Sequence, residues 1–108
     1  MIWITGNSGA GKTTLARKMA KENQSVVLDG DDMRSVWTLG FTVEDRWEQN
    51  LRVAKLGKIL EEQGFNVIVS TICPYRDLRE KVKEITGCEF IFLEERGHEI
   101  TEAYPYER

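Results

Sequence analysis

Apolar residues along this chain fall into four short, nearly unbroken runs, separated by stretches in which they recur every three or four positions. The runs are residues 1–5 (MIWIT), 25–28 (SVVL), 67–71 (VIVST) and 89–93 (EFIFL). β-Branched and aromatic residues dominate them and polar residues do not alternate with apolar ones, so each predicts a strand buried on both faces. Between the first two runs, residues 12–22 put Leu15, Ala16 and Met19 on one helical face. Residues 33–37 predict a short helical turn, and Leu39-Gly40-Phe41 a loop. A long helix begins at Thr42, where Asp45 gives a start like a capping box, and reaches Gln63 with Gly64 as its C-cap. Its apolar stripe is Leu51, Leu56, Ile59 and Leu60. Pro74 is suited to open a last helix, which runs to Thr86 and stops at Gly87. Trp3 and Cys88 read as packing residues, while Trp37 and Trp47 suit either a pocket wall or helix-to-helix contact.

Strand–helix alternation of this kind implies an α/β domain on a parallel sheet. The expected organisation is a single domain over residues 1–108, with a core at 1–94 and an atypical short tail at 95–108. That tail is glutamate-rich and without period, and reads as a solvated, partly ordered end.

Composition narrows the function classes. The chain has 108 residues, Lys+Arg 15 and Asp+Glu 18, for a formal net charge of -3. An acidic balance argues against nucleic-acid binding by general charge. No apolar run approaches the ~20 residues of a membrane span, and the first residues do not form a secretion signal. Cys73 and Cys88 match no metal spacing and read as free thiols. Together these features predict a cytoplasmic protein.

One segment carries chemistry outright. Gly6, Asn7, Ser8, Gly9, Ala10, Gly11, Lys12 and Thr13, with Thr14 next, fit G-x-x-x-x-G-K-[ST] between a predicted strand and a predicted helix. Glycines let such a loop fold tightly and aim successive N–H groups at a polyphosphate. The helix N-terminus adds the positive end of its dipole. Lys12 is then expected to reach the β- and γ-phosphates of ATP, and the Thr13 hydroxyl to bind Mg²⁺. The motif does not separate kinases from GTPases, but the chain leaves little room for switch regions, which favours a small-molecule kinase.

The second strand ends in Asp29-Gly30-Asp31, and the third in Ser70-Thr71. Strand C-terminal ends face the ligand crevice of an open parallel sheet. A carboxylate there can hold Mg²⁺ or accept a proton from an attacking hydroxyl; capping aspartates in a turn are the alternative. Arg34, Arg46 and Arg52 are suited to clamp phosphate or sulfate, although any one alone also suits a solvated surface.

These residues, taken in order, resemble the adenylylsulfate kinase family. The resemblance rests on the loop at 6–14, Leu28-Asp29-Gly30-Asp31, Arg34, Leu39-Gly40-Phe41, Glu44-Asp45-Arg46, Ile72-Cys73-Pro74-Tyr75-Arg76 and Arg79-Glu80, and covers residues 1 to about 94. It implies the P-loop NTPase fold, a three-layer α/β/α sandwich with strand order 2-3-1-4 and without the family's fifth strand. The implied reaction uses Mg-ATP to phosphorylate the ribose 3′-hydroxyl of adenosine 5′-phosphosulfate, giving PAPS and ADP. By position, Asp31 would be the catalytic and metal-binding carboxylate beside Lys12 and Thr13. Asp29, Arg34, Phe41, Arg46, Gln49, Ile72, Cys73 and Pro74 would form the acceptor site, with Phe41 stacked on adenine and the arginines on the phosphosulfate.

The chain departs from the family pattern in four places. Gln49 stands where the family has Asn, and neighbouring Asn50 would sit about 100° around the helix. Cys73 stands where Ser is usual. The stretch from Arg34 to Phe41 is short. The family's basic lid and final strand would have to fit within residues 94–108, where Tyr104-Pro105-Tyr106-Glu107 resembles a stretch that lies beyond the lid. Arg96 is a candidate substitute for a lid arginine and His98 a weaker candidate base. A kinase for another nucleotide-conjugate hydroxyl, or a degenerate nucleotide-binding protein with little turnover, therefore stays open beside the family reaction. The fourth strand would be an exposed edge, which makes a homodimer an expectation as well.

Overall fold

In the computed structural model, residues 1–93 and 99–108 are described. These residues form four strands and four helices, with strands separated by one helix or, after β2, by two: β1 (Ile2–Thr5), α1 (Lys12–Asn23), β2 (Val26–Asp29), α2 (Gly30–Trp37), α3 (Val43–Glu62), β3 (Val67–Ser70), α4 (Arg76–Thr86) and β4 (Glu89–Phe92). The sheet has the order β2-β3-β1-β4 and all its pairings are parallel. Both the alternation and the strand order match the sequence reading.

Strand side chains alternate between two apolar layers. Trp3, Leu28, Val67 and Val69 face one layer, where Val53 and Ala54 of α3 and Leu78 and Val82 of α4 meet them. Ile4 and Ile68 face the other, against Ala16, Leu15 and Met19 of α1. Two helices thus cover one face of the sheet and α1 covers the other, as continuous apolar strands require. The Trp3 indole is fully buried and donates to the Thr71 hydroxyl at 2.9 Å, which satisfies its polar edge.

Three details depart from expectation, each for a local physical reason. The turn expected at 33–37 is part of a full helix, because the Asp29 side chain caps it by accepting from the Asp31 amide. Helix α4 starts after Pro74 rather than at it: Cys73 takes a left-handed φ of 42° and Tyr75 is the N-cap. Residues 99–104 and 107–108 are exposed, as expected of a solvated end, but Tyr106 between them is only 6% exposed and packs inside the fold. Trp37 and Trp47 pack against the α3–α4 layer instead of lining the pocket. Arg52 pairs with Glu48 on the surface of α3. Arg96 and His98 lie outside the described residues. Among the described residues, no helix is long and apolar enough to cross a membrane.

Gly6 sits where β1 runs against the end of β4. A Cβ there would lie 2.8 Å from the Leu93 carbonyl oxygen and 3.2 Å from its Cβ. Backbone cannot yield as a flexible side chain can. Gly6→Ala is therefore expected to cost roughly 1–3 kcal/mol, read as a lower urea midpoint at unchanged slope; an unchanged midpoint would remove this constraint.

Candidate active site

All four strands point their C-terminal ends at the same edge of the sheet, and the loops that leave those ends enclose one cleft of about 210 Å³. Its floor is the glycine-rich loop. Gly9 and Gly11 take φ values of 81° and 93°, and Gly11 is the N-cap of α1. These left-handed positions turn the backbone around the start of the helix. The Asn7 carbonyl accepts from the Ala10 amide at 3.2 Å and from the Lys12 ammonium at 2.9 Å, so the lysine folds back over its own loop. Burial lowers the Lys12 pKa, while the nearby Asp29 and Asp31 carboxylates favour the charged form.

Asp29 is the hub of the cleft. Its Oδ2 accepts from the Thr13 hydroxyl at 2.6 Å and from the Ser70 hydroxyl at 2.9 Å, and its Oδ1 from the Asp31 amide at 3.0 Å. Burial alone would raise its pKa. The bonds from Thr13, Ser70 and the Asp31 and Asp32 amides outweigh that and hold it below the ordinary 3.8. Asp31 is exposed on the first turn of α2 and lines the same cleft. Its charge favours the charged forms of both Lys12 and Arg34.

That wall is cationic and aromatic. The Arg34 guanidinium lies 4.3 Å from the centroid of the Phe41 ring and that of Arg46 lies 6.0 Å away. Phe41 itself is 63% exposed. Neither arginine forms an ion pair among the described residues. Burial lowers the Arg34 pKa, and its Nε is buried without a hydrogen-bond partner there. A pair of guanidiniums not neutralised by carboxylate salt bridges is a ready anion site.

The third side is the loop Ile72-Cys73-Pro74. Cys73 is fully buried, which pushes its thiol pKa up. It therefore contributes shape and backbone to the pocket and no nucleophile.

The residues expected from sequence gather here almost completely. Ser8, Gly9, Gly11, Lys12, Thr13 and Thr14 line the cleft on the loop side. Asp29, Asp31, Arg34, Phe41, Arg46, Gln49 and the loop at 72–74 line it elsewhere. Gly6, Asn7 and Ala10 do not: Ala10 is buried, and the Asn7 amide donates to the Tyr104 carbonyl at 3.0 Å. Gln49 is on the wall, but its amide is engaged, accepting from the Trp37 indole and donating to the Gly30 carbonyl at 2.8 Å. Asn50, set aside from helix geometry, lines the cleft too. Its Oδ1 accepts from the Thr71 hydroxyl at 2.7 Å and its Nδ2 donates to the Arg46 carbonyl at 2.8 Å. The adjacent pair of amides on α3 was the signal for both.

The oxygen donors fit Mg²⁺. Thr13 and Asp29 present hard oxygen atoms within hydrogen-bond reach of each other beside the phosphate-type loop. No cluster of three or more metal-ligating side chains exists among the described residues. Such a site would hold the cation through one or two protein oxygens, with phosphate and water completing its shell.

Comparison with known proteins agrees with this geometry. The family model for adenylylsulphate kinase matches residues 1–96. A probable adenylyl-sulfate kinase of Archaeoglobus fulgidus is 43% identical over 78% of this chain and 59% of its own length. The adenylyl-sulfate kinase of Pseudomonas aeruginosa is 42% identical over 82% of this chain and 49% of its own. Among solved structures, Mycobacterium tuberculosis APS kinase in complex with AMPPNP and APS superposes with a TM-score of 0.70 at 33% identity, covering 84% of this chain and 58% of that one. The chain spans about half the length of the curated relatives it matches.

The depressed Asp29 pKa has a pH consequence. A carboxyl whose folded pKa lies below its unfolded value of 3.8 adds stability above that value and loses it as pH falls through the folded pKa. Asp29→Asn is therefore expected to lower the urea midpoint at pH 7. The gap between variant and wild type should close as pH falls below about 4. A gap as wide at pH 2.5 as at pH 7 would show that the carboxylate charge plays no part.

Proposed function

The chain belongs to the adenylylsulphate kinase family, and on that basis we propose that it transfers the γ-phosphoryl group of ATP to the ribose 3′-hydroxyl of adenosine 5′-phosphosulfate, giving ADP and PAPS. The observation that carries this reading is the exposed Phe41 ring flanked by Arg34 and Arg46, facing the glycine-rich loop across a single cleft. An aromatic face offers stacking to a purine, and two guanidiniums that form no ion pair at contact distance among the described residues suit a phosphosulfate. The M. tuberculosis relative was solved with AMPPNP and APS, which supports the same pair of ligands here.

Backbone amides of the loop and the start of α1 would bind the β- and γ-phosphates. Lys12 would exchange the Asn7 carbonyl for phosphate oxygens, which restores a partner to its ammonium. Thr13, Asp29 and Asp31 would hold Mg²⁺, which when bound neutralises charge on the phosphates. Asp31 would accept the proton of the 3′-hydroxyl as its oxygen attacks phosphorus and the bond to the ADP oxygen breaks. Arg34 and Arg46 would fix the acceptor so that the hydroxyl and the phosphorus are aligned.

Gln49 favours a second reading. Its amide is committed to Trp37 and Gly30, so the acceptor side lacks the free amide that the family's Asn offers. On this reading, the accepting hydroxyl belongs to a different nucleotide conjugate.

The deciding experiment incubates the purified chain with Mg-ATP and adenosine 5′-phosphosulfate and identifies the product by mass, with Lys12→Ala as control. PAPS from the wild type and none from the control is the expected result. ATP binding without PAPS would transfer the reading to another acceptor, or to a binding protein that does not turn over. Asp31→Asn should reduce kcat by roughly 10²–10⁴ with ATP affinity held within a few-fold. Equal losses in both would leave Asp31 a metal-binding role only. Phe41→Ala should raise the acceptor KM roughly fivefold or more, the worth of one stacked base, and leave the ATP KM in place. An acceptor KM that does not move would sink the stacking role.

A further inference from the structure

Each carbonyl of the pocket loop Ile72-Cys73-Pro74 has a named donor, and none of those donors belongs to a residue that lines the cleft. The Ile72 carbonyl accepts from the Thr5 hydroxyl. The Cys73 carbonyl accepts from Nη1 of Arg79 at 2.9 Å. The Pro74 carbonyl accepts from the Glu107 amide at 2.6 Å.

All three donors depend on two residues of the closing segment. The single Thr5 proton goes to Ile72, so the Tyr106 hydroxyl, 3.0 Å away, is the donor to Thr5 Oγ1. Arg79 is buried and forms no ion pair among the described residues. Its Nη2 donates to the Glu107 carbonyl, and its guanidinium lies over the Tyr106 ring at 5.0 Å. Glu107 itself supplies the third donor. Its carboxylate also accepts from the Arg76 amide at 2.9 Å, which caps α4 where Tyr75 makes no side-chain cap. The segment also touches the glycine-rich loop, where the Asn7 amide donates to the Tyr104 carbonyl at 3.0 Å.

The loop needs such restraint. Cys73 holds a φ of 42°, a left-handed conformation that costs a non-glycine residue roughly 1–3 kcal/mol and persists only when its surroundings over-determine it. We propose that Tyr106 and Glu107 are positioning residues of the pocket, holding the loop 72–74 in its strained form through Arg79 and Thr5 and so setting the geometry of the acceptor wall. The acceptor part of this inference rests on the function proposed above; the holding of the loop does not.

The two cysteines provide the test. Both are buried, Cys73 on the restrained loop and Cys88 beside β4. Alkylation by iodoacetamide, located by mass spectrometry, then reads local opening at Cys73 against global opening at Cys88. With Tyr106→Ala and Glu107→Pro together, which removes the Tyr106 hydroxyl and ring, the Glu107 amide donor to Pro74 and the carboxylate, Cys73 should react about tenfold faster or more while Cys88 stays within about twofold. Glu107→Gln keeps an acceptor for the Arg76 amide and should remain near wild type at both. Calorimetric titration completes the test. The double variant should lose roughly fivefold or more in affinity for adenosine 5′-phosphosulfate and stay within about twofold for a non-hydrolysable ATP analogue. Equal acceleration at both cysteines, or none at Cys73, would overturn the proposal. Opening at Cys73 with acceptor affinity unchanged would overturn its acceptor part. A wild type that does not bind the acceptor would count against the proposed function instead, and the cysteine contrast would still decide what holds the loop.

Discussion

The carboxylate of Asp29 is the point on which the cleft depends. It is buried and meets no lysine or arginine at salt-bridge distance among the described residues. A buried charge in that position is tolerable only when its lone pairs are filled. Donors from α1, β3 and the first turn of α2 fill them. Three elements distant in sequence are thereby fixed to one pair of oxygen atoms. The same interaction caps α2, aims Asp31 into the cleft and sets the Thr13 hydroxyl beside the phosphate-type loop.

Around that hub the cleft has two kinds of wall. The glycine-rich loop and the loop at 72–74 are tied down by backbone hydrogen bonds. The wall formed by Arg34, Phe41 and Arg46 is held by ring–guanidinium contacts, with its aromatic face turned to solvent. Such contacts are worth about 0.5–1 kcal/mol each at exposed sites. A ligand can replace them with stacking and charge pairing at little cost. On the function proposed above, one side of the cleft would be pre-organised for phosphate and the other would re-form around an acceptor.

The glycine-rich loop, the strand order and most lining residues were legible in the chain because they follow from short-range spacing and from known family motifs. Other features depend on contacts that spacing does not encode. Gln49 was expected at the acceptor site in place of the family's Asn, but Trp37 and Gly30, brought close by the packing of α2 on α3, occupy both ends of its amide. Asn50 looked misdirected from its helical angle, yet Thr71 at the end of β3 lies within its reach. The burial of Tyr106 could not be read from the glutamate-rich segment before it. Its partners Thr5 and Arg79 come from β1 and α4, and only the folded sheet brings them together.

The position of β1 also dictates an order of events during synthesis. It precedes the other strands of this sheet and sits in its interior, with Ile2 in register with both Ile68 and Glu89. Its neighbours β3 and β4 begin only at Val67 and Glu89, so neither exists when β1 leaves the ribosome. Until they do, the run at residues 2–5 has no sheet to join, and its apolar side chains are open to solvent or to a chaperone. Closure of this sheet therefore waits on β4, and the phosphate-type loop that β1 carries takes its final form only when β3 and β4 close around it.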